Sequence, residues 1–235
     1  MDKLESEKSV LHAHRDQPSM KDYPGRMAVL FFTAGCNFRC GFCHNPDLFA
    51  TAKTYTWEEL DAILANFRKH WVSAVTITGG EPTIHAGLPD TIAFIKSRGF
   101  TIKLDTNGSN PTMLRQVIGE VSYVAMDIKC GIQNYPQLTG YDKLENIRES
   151  ISIIMESAKD YEFRTTVIET IHDDEEIMDC GKIILGAKRY ILQPFVPHEN
   201  LPSVALRTQP RTRPSFLEHC AEQVAGFVQK VEIRG

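Results

Sequence analysis

The sequence contains no long apolar run and no excess of positive charge. No window of its 235 residues reaches the roughly 18 apolar residues that a membrane-spanning helix requires. The first twenty residues alternate charged with small polar side chains, so we predict neither a signal peptide nor a membrane helix there. The formal net charge of −4 provides no basic field for a phosphate backbone, so nucleic acid is not indicated as a partner.

These absences predict a cytoplasmic protein that acts on small molecules or on another protein. We expect residues 1–21 to form a disordered polar leader, because this segment offers little apolar surface to bury. We expect residues 22–235 to form one domain, since a chain of this length can enclose a single large core.

The chain also lacks the spread of cysteines that a disulfide framework shows. Three of its six cysteines, Cys36, Cys40 and Cys43, are clustered at a C-x3-C-x2-C spacing. The other three are scattered, at Cys130, Cys180 and Cys220, and no role for them follows from the sequence. In a reducing compartment this distribution indicates metal or redox chemistry.

The cysteine cluster has no fourth member. Four thiolates normally hold a [4Fe–4S] cluster, so three would leave one iron free for an exogenous ligand. A zinc site is the main alternative, because His44 could complete a Cys3His set, although adjacent Cys43 and His44 chelate one ion awkwardly. Inert packed thiols are a second alternative, which a loop without an apolar pattern does not favour. The spacing favours the iron–sulfur cluster and leaves zinc open.

Apolar segments alternate with helical patterns along most of the chain. Buried strands are predicted at residues 27–33, 72–78, 100–105, 123–128, 162–168 and 189–192, with 231–235 as a final short strand or tail. Helices are predicted at residues 56–70, 88–97, 111–118, 144–158, 173–185 and 214–228. This order predicts an α/β fold with right-handed crossovers and a parallel sheet, either open or curled toward a barrel.

Polar motifs follow four successive strands where each strand ends. The cysteines follow the first strand, GGEP the second, DTNG the third, and Asp127 with Lys129 the fourth. Active residues of parallel sheets gather in the loops at the carboxyl ends of the strands. We therefore expect these motifs to line one common mouth.

The cysteine motif, with Phe42 directly before its last cysteine, resembles that of the radical S-adenosylmethionine superfamily. The longer run DYPGRMAVLFFTAGCNFRCGFCHNPDLF, with TITGGEP, LDTNG, MDIK and FRTTV downstream, resembles the glycyl-radical-enzyme activases. Within these, the sequence most resembles the anaerobic ribonucleoside-triphosphate reductase activating proteins, with pyruvate formate-lyase activating enzymes as near relatives. The resemblance covers about Asp22 to Phe195 and implies a radical SAM domain over 22–235 that folds as a partial (β/α)6 barrel of parallel strands with helices outside.

The resemblance also implies a chemistry. In this family S-adenosylmethionine binds the free iron of a [4Fe–4S] cluster, and its reductive cleavage gives methionine and a 5′-deoxyadenosyl radical that takes a hydrogen atom from a glycine of a partner enzyme. The implied partners are thus a glycyl-radical enzyme and an electron donor such as flavodoxin or ferredoxin. No ferredoxin-like insert lies between Asn45 and Thr56, so one cluster is expected.

The resemblance assigns roles to the residues of this sequence that match each family motif. The resemblance implies that Cys36, Cys40 and Cys43 ligate the cluster, and that Phe42 and His44 lie against the adenine. It places Gly79, Gly80 and Glu81 near the methionine amino group and Arg164 near the carboxylate, with Asp105 and Asn107 of DTNG, and Asp127 and Lys129 of D-x-K, as further cofactor-binding residues.

Each carried-over motif has a plainer alternative. GGEP alone is also typical of an ordinary turn. Asp127 and Lys129, two apart on a strand, could form a structural ion pair. Arg164 could be a surface charge on an edge strand, and His172, His198 and His219 could be solvated or capping histidines.

Other functions also remain open. A radical SAM enzyme could act on a small molecule such as a deazapurine precursor, because loops decide the substrate. A zinc-binding adaptor that kept the fold and lost the chemistry is an alternative of another class.

Overall fold

The strands form one sheet. The computed structural model of the chain describes residues 7–50 and 52–235. Its strands are β1 (Leu11–His14), β2 (Ala28–Thr33), β3 (Ala74–Gly79), β4 (Thr101–Thr106), β5 (Tyr123–Asp127), β6 (Tyr161–Val167), β7 (Tyr190–Pro194) and β8 (Val231–Ile233), in the spatial order of the sequence. Strands β2 to β8 are parallel, and β1 pairs antiparallel with β2. The predicted α/β fold is confirmed, with the unpredicted antiparallel β1 at one edge and the expected final short strand, β8, at the other.

Helices connect the parallel strands. They are α1 (Trp57–Lys69), α2 (Leu88–Ser97), α3 (Pro111–Val117), α4 (Tyr135–Thr139), α5 (Leu144–Ser157), α6 (Asp174–Ile183), α7 (Val204–Arg207) and α8 (Pro214–Val224). Helix α1 begins with a capping box, in which the Thr56 hydroxyl accepts from the Glu59 N–H and the Glu59 carboxylate accepts from the Thr56 N–H. The short α4 and α7 were not predicted, because too few residues carry a helical period.

Part of the polar leader is ordered, contrary to the expectation for residues 1–21. Leu11 is fully buried in β1 and pairs with Thr33 of β2, and the N–H of Tyr55 donates to the Leu11 carbonyl. This strand covers the otherwise open edge of β2. The polar composition of the leader as a whole does not reveal so short a strand. Residues 1–6 of the predicted leader lie outside the described residues.

The segment between β1 and β2 packs against the face of the sheet that the helices do not cover. Tyr23 is buried with its ring centroid 5.8 Å from that of Tyr123, and the Thr76 hydroxyl donates to the Asp22 carbonyl. Residue 19 also forms an isolated bridge with Ala28. Residues 19–26 are therefore a structured part of the fold.

The two faces of the sheet differ in character because side chains alternate along each strand. One face packs against the helices and forms the main apolar core, which includes Phe31, Ile77 and Leu104. The other face carries a small cluster of tyrosines and alanines together with buried charges such as Lys103 and Glu162. The charges of the site described below thus project from the face that the helices do not cover.

Among the described residues, we find no helix with both the length and the apolarity to cross a membrane.

Candidate active site

One cavity collects all thirteen site residues expected from the sequence. It has a volume of about 200 Å³ and lies where β2 to β6 end. The residues that line it include Cys36, Cys40, Phe42, Cys43, His44, Gly79, Gly80, Glu81, Asp105, Asn107, Asp127, Lys129 and Arg164. The predicted common mouth is therefore present, whereas the individual binding roles stay predictions.

The cysteine loop, residues 35–49, is closed at its base and held along its length. The Gly35 N–H donates to the Leu48 carbonyl over 2.5 Å, and the Cys43 N–H donates to the Cys40 carbonyl over 3.2 Å. Phe38 is 2% exposed, and its ring centroid lies 4.9 Å from that of Tyr141. These contacts fix the path of the chain that carries the three thiols, of which Cys40 is buried and Cys36 and Cys43 are half-buried.

The segment after β7, residues 195–207, holds the other side of the cysteine loop. The His44 Nε2–H donates to the Val196 carbonyl over 2.9 Å, and the Ser203 N–H donates to the Gly41 carbonyl over 3.0 Å. No sequence motif marks these contacts, since the partners of His44 and Ser203 are backbone carbonyls. The position of the cysteine loop therefore depends on residues more than 150 positions later.

The grouping of the donors does not by itself decide between a Cys3His zinc site and an iron–sulfur cluster. Within residues 7–50 and 52–235, no three or more His, Cys, Asp or Glu side chains are grouped so as to hold one metal ion, and this includes the three cysteines. His44 points its Nε2 at Val196, and burial raises the pKa of all three thiols, that of Cys40 to about 11. Thiolates in such a wall need a bound cation to stabilise them, and an all-cysteine donor set beside an open cavity fits an iron–sulfur cluster.

The two glycines of GGEP allow the turn after β3 to lie directly on the cysteine loop. Gly79 has φ +120°, and a Cβ there would lie 2.4 Å from the backbone nitrogen and oxygen of Thr33. A Cβ on Gly80 would lie 1.8 Å from the Gly35 carbonyl oxygen. The Glu81 N–H then donates to the same Gly35 oxygen over 2.9 Å. GGEP is thus more than an ordinary turn, because its glycines set the packing of the cysteine loop.

Glu81 is an internal hydrogen-bond acceptor. It is 1% exposed and accepts from the Thr83 N–H and hydroxyl, from the Thr106 hydroxyl at 2.8 Å and from the Asn107 N–H at 2.6 Å. Burial raises its pKa, while these donors act in the opposite direction. A carboxylate offers about four acceptor sites, so contact with a cofactor amine would require one of these bonds to be exchanged.

Asn107 links the DTNG motif to the cysteine loop. Its Nδ2 donates to the Asn37 Oδ1 over 3.1 Å and lies 3.9 Å from the Cys36 sulfur. Its Oδ1 accepts from the Ser109 N–H over 2.9 Å. The amide orientation is therefore determined by partners on both sides.

Five charges form a ladder across the ends of β4, β5 and β6. The ladder runs Lys103, Asp105, Arg164, Asp127, Lys129, with each neighbouring pair in contact. Arg164 donates from Nε to Asp127 over 2.8 Å and from Nη1 to Asp105 over 3.2 Å. Burial opposes ionisation of Asp127, but Arg164 and Lys129 outweigh this and lower its pKa. The ladder keeps the Asp127 carboxylate charged at the wall of the cavity.

The ladder tests two of the plainer alternatives given above: a surface-exposed Arg164, and a structural ion pair between Asp127 and Lys129. Arg164 lies on the interior strand β6 with 15% of its side chain exposed, so its interpretation as a surface charge on an edge is wrong. Asp127 and Lys129 do form an ion pair at 2.9 Å, yet both also line the cavity. An ion pair and a position in the wall of the cavity therefore coexist at these two residues.

Two supporting residues were not identified from the sequence. Lys103 has 2% of its side chain exposed and pairs with Asp105, which the spacing K-x-D on β4 could have indicated, since it mirrors D-x-K after β5. His172 is fully buried, contrary to its interpretation as a solvated or capping residue: its Nδ1 accepts from the Ile168 N–H at 3.0 Å, and its Nε2 contacts the Lys129 carbonyl at 3.1 Å. His172 therefore supports the backbone of Lys129.

Known proteins match the chain in this same region. The model of the radical SAM superfamily matches residues 30–180, which is more than half of the chain. A Methanocaldococcus jannaschii protein named as a glycyl-radical enzyme activating enzyme is 32% identical over 187 residues, covering 76% of this chain and 77% of that protein. The pyruvate formate-lyase-activating enzyme of Clostridium pasteurianum is 28% identical over 188 residues, covering 77% and 78%.

Other similarities are partial. A Thermococcus kodakarensis protein named as a GTP 3′,8-cyclase is 26% identical over 147 residues, which is 61% of this chain but 48% of that protein. The structure of Streptococcus suis SuiB bound to S-adenosylmethionine superimposes with a TM-score of 0.66 at 14% identity, over 86% of this chain and 48% of SuiB. The chain thus spans about half the length of these two proteins, and the likeness to SuiB shows the fold alone.

The superfamily uses a [4Fe–4S] cluster with S-adenosylmethionine, and the three cysteines in the wall of the cavity fit that cluster. The extent of the match and the identity to the archaeal activating enzyme show that this chain belongs to the radical SAM superfamily.

Proposed function

We propose that this protein is an activase that cleaves S-adenosylmethionine reductively at a [4Fe–4S] cluster and generates a glycyl radical on a partner enzyme. The observation that carries the proposal is the single cavity in which the three cysteines meet the GGE, DTNG, D-x-K and Arg164 residues. The activase relatives support it further, because they match this chain over about three quarters of both lengths. The partner we propose is an anaerobic ribonucleoside-triphosphate reductase.

The proposed roles follow the walls of the cavity. Cys36, Cys40 and Cys43 would ligate the cluster, while Phe42 and His44 would meet the adenine. When bound, the cluster and S-adenosylmethionine supply one-electron reduction and hydrogen-atom abstraction. The protein's own contribution is to bind and orient the cofactor and to exclude water, and the charge ladder would bind its amino acid end.

The charges of the cavity favour a protein substrate over a nucleotide. Its two cations, Lys129 and Arg164, both pair with carboxylates, and Glu81 adds a further acid. Among the described residues of the lining, no cation is left unpaired for a triphosphate, which usually binds several unpaired donors. A polypeptide loop carries no such charge and does not require one.

Exposed apolar side chains that suit contact with a protein lie in the segments that contact the cysteine loop. Ile84, in the turn after β3, is 39% exposed, and Val196, which accepts from His44, is 44% exposed. Val204 on α7 is 69% exposed. Two of these residues belong to the segment that holds the cysteine loop, so a partner that rests on them would lie beside the cavity.

An external electron donor is part of the proposal. Cys130, Cys180 and Cys220 are fully buried and do not line the cavity, so no second cluster of the protein is indicated among the described residues. The electron must then come from a separate protein, for which we propose a flavodoxin or a ferredoxin.

The test uses the anaerobically reconstituted, reduced protein with S-adenosylmethionine and each candidate partner in turn. We expect a glycyl radical, seen by electron paramagnetic resonance, on the anaerobic ribonucleotide reductase from the same organism. Pyruvate formate-lyase is the second candidate partner, because one relative is named as a pyruvate formate-lyase-activating enzyme. The controls are Cys40→Ala and a partner whose radical-bearing glycine is replaced by alanine.

Each outcome is informative. A radical on pyruvate formate-lyase alone would keep the activase function and change the partner. Cleavage of S-adenosylmethionine without a radical on either protein would overturn the activase proposal and favour a small-molecule substrate, as the similarity to a cyclase suggests.

A further inference from the structure

Arg39 lies between the first two cysteines and folds back over the cysteine loop. Its Nη1 donates to the Cys36 carbonyl over 2.5 Å and to the Phe38 carbonyl over 2.8 Å. Its guanidinium carbon lies 5.2 Å from the ring centroid of Phe49, at the far end of the same loop. One side chain thus joins the start of the loop to its end.

The backbone of Arg39 is held independently of the side chain. Its N–H donates over 2.7 Å to the carbonyl of Thr139, the last residue of α4. The neighbouring Phe38 is packed against Tyr135 and Tyr141 on the same side. A change at the Arg39 side chain should therefore leave residues 38 and 39 anchored, while it releases the Cys36 carbonyl and the Phe49 ring that the side chain holds.

Arg39 differs from the cations of the ladder in having no acidic partner. No carboxylate of the described residues lies within ion-pair distance of it, whereas Lys103, Lys129 and Arg164 each pair with an aspartate. Its side chain is exposed, so water screens the charge in part. The positive charge nevertheless remains uncompensated by protein, next to the carbonyl of the first cysteine.

We propose that Arg39 is a positioning residue that shapes the turn between Cys36 and Cys40 and places an unpaired positive charge on the loop that would hold the cluster. Reduction adds negative charge to an iron–sulfur cluster, and net charge nearby is one of the factors that set its potential. A guanidinium at this position favours the reduced state and so raises the reduction potential. The inference rests on ligation by the three cysteines and holds for any substrate of the enzyme.

Three variants separate the shape of the turn from the charge. Arg39→Lys keeps the charge but cannot form a planar fork to two carbonyls or stack flat on Phe49. Arg39→Gln keeps a hydrogen-bond donor and removes the charge. Arg115→Gln is the matched control, because Arg115 is an exposed arginine on α3 that pairs with Glu149 and does not line the cavity.

The experiment measures two quantities on the reconstituted, anaerobic full-length protein: iron bound per chain, and the midpoint potential of the cluster by titration followed with electron paramagnetic resonance. We expect less bound iron in both Arg39 variants, a shift to lower potential in Arg39→Gln only, and no change in Arg115→Gln. Circular dichroism of each variant confirms that the fold is retained.

The two parts of the proposal fail separately. An unchanged potential in Arg39→Gln would overturn the role of the charge, and undiminished iron in both variants would overturn the role in positioning. If the unaltered protein binds no iron, or if Cys40→Ala binds as much as the unaltered protein, the ligation by cysteines is itself wrong.

Discussion

Gly80 lies so close to Gly35 that a Cβ on Gly80 would be 1.8 Å from the Gly35 carbonyl oxygen. The contact joins the turn after β3 to the start of the cysteine loop. Because both partners are backbone, neither can yield by a change of rotamer. The GGEP motif therefore has a packing role that is independent of any ligand.

Replacing Gly80 by alanine should displace the cysteine loop and impair cluster binding. We expect Gly80→Ala to lower the free energy of unfolding by about 1–3 kcal/mol, as is usual when extra atoms are forced into a packed site, and to reduce bound iron. Urea unfolding and iron analysis measure the two effects. Gly119→Ala is the matched control, because a Cβ at Gly119 meets nothing within 4 Å. Equal stability and iron in the two variants would contradict the packing role.

Removing Arg164 should destabilise the charge ladder. We expect Arg164→Gln to lower the free energy of unfolding by roughly 3 kcal/mol, the low end for breaking a buried ion pair, since Lys103 and Lys129 still pair with the two aspartates. Arg115→Gln breaks an exposed pair and should cost less than about 1 kcal/mol. Thermal or urea unfolding compares the variants, and a loss at Arg164 no larger than that at Arg115 would argue against a cooperative ladder.

The buried His172 makes stability depend on pH. Its Nδ1 accepts from the Ile168 N–H, so the neutral ring carries its proton on Nε2 and donates to the Lys129 carbonyl. Burial lowers its pKa from the ordinary value of 6.5, so the unfolded chain takes up a proton that the folded chain does not. The stability is then complete above about pH 6.5 and falls as the pH decreases below it, by up to about 1.4 kcal/mol per pH unit.

The variant His172→Gln should abolish this part of the pH dependence. Urea unfolding of both proteins between about pH 7 and pH 5 gives the two slopes, and we expect the unaltered protein to have the steeper one. Parallel slopes would show that His172 is not the group that titrates.

Most strands and the site motifs could be predicted from the sequence, for local reasons. Buried parallel strands are rich in apolar residues, so a segment such as Ala28–Thr33 stands out as a nearly continuous apolar run. The motifs follow those strands, and the topology brings them to one edge. The short strand Leu11–His14 was missed because Leu11 alone of its four residues is strongly apolar and because its order depends on distant partners such as Tyr55.

The contacts that hold the site were mostly not predictable. His44 and Ser203 bond to the carbonyl oxygens of Val196 and Gly41, and Arg39 bonds to those of Cys36 and Phe38. A carbonyl group is present at every residue, so the sequence carries no sign of which one is used. Lys103 is different, because a lysine and an aspartate two apart on a strand share one face and could have been recognised.

Cleavage of S-adenosylmethionine tests the central claim most directly. The reconstituted protein, reduced with dithionite in the absence of air, is incubated with S-adenosylmethionine, and 5′-deoxyadenosine is quantified beside a Cys40→Ala control. The account predicts 5′-deoxyadenosine from the unaltered protein and none from the variant. An intact iron–sulfur cluster that yields no 5′-deoxyadenosine, with or without the partner enzyme, would contradict it.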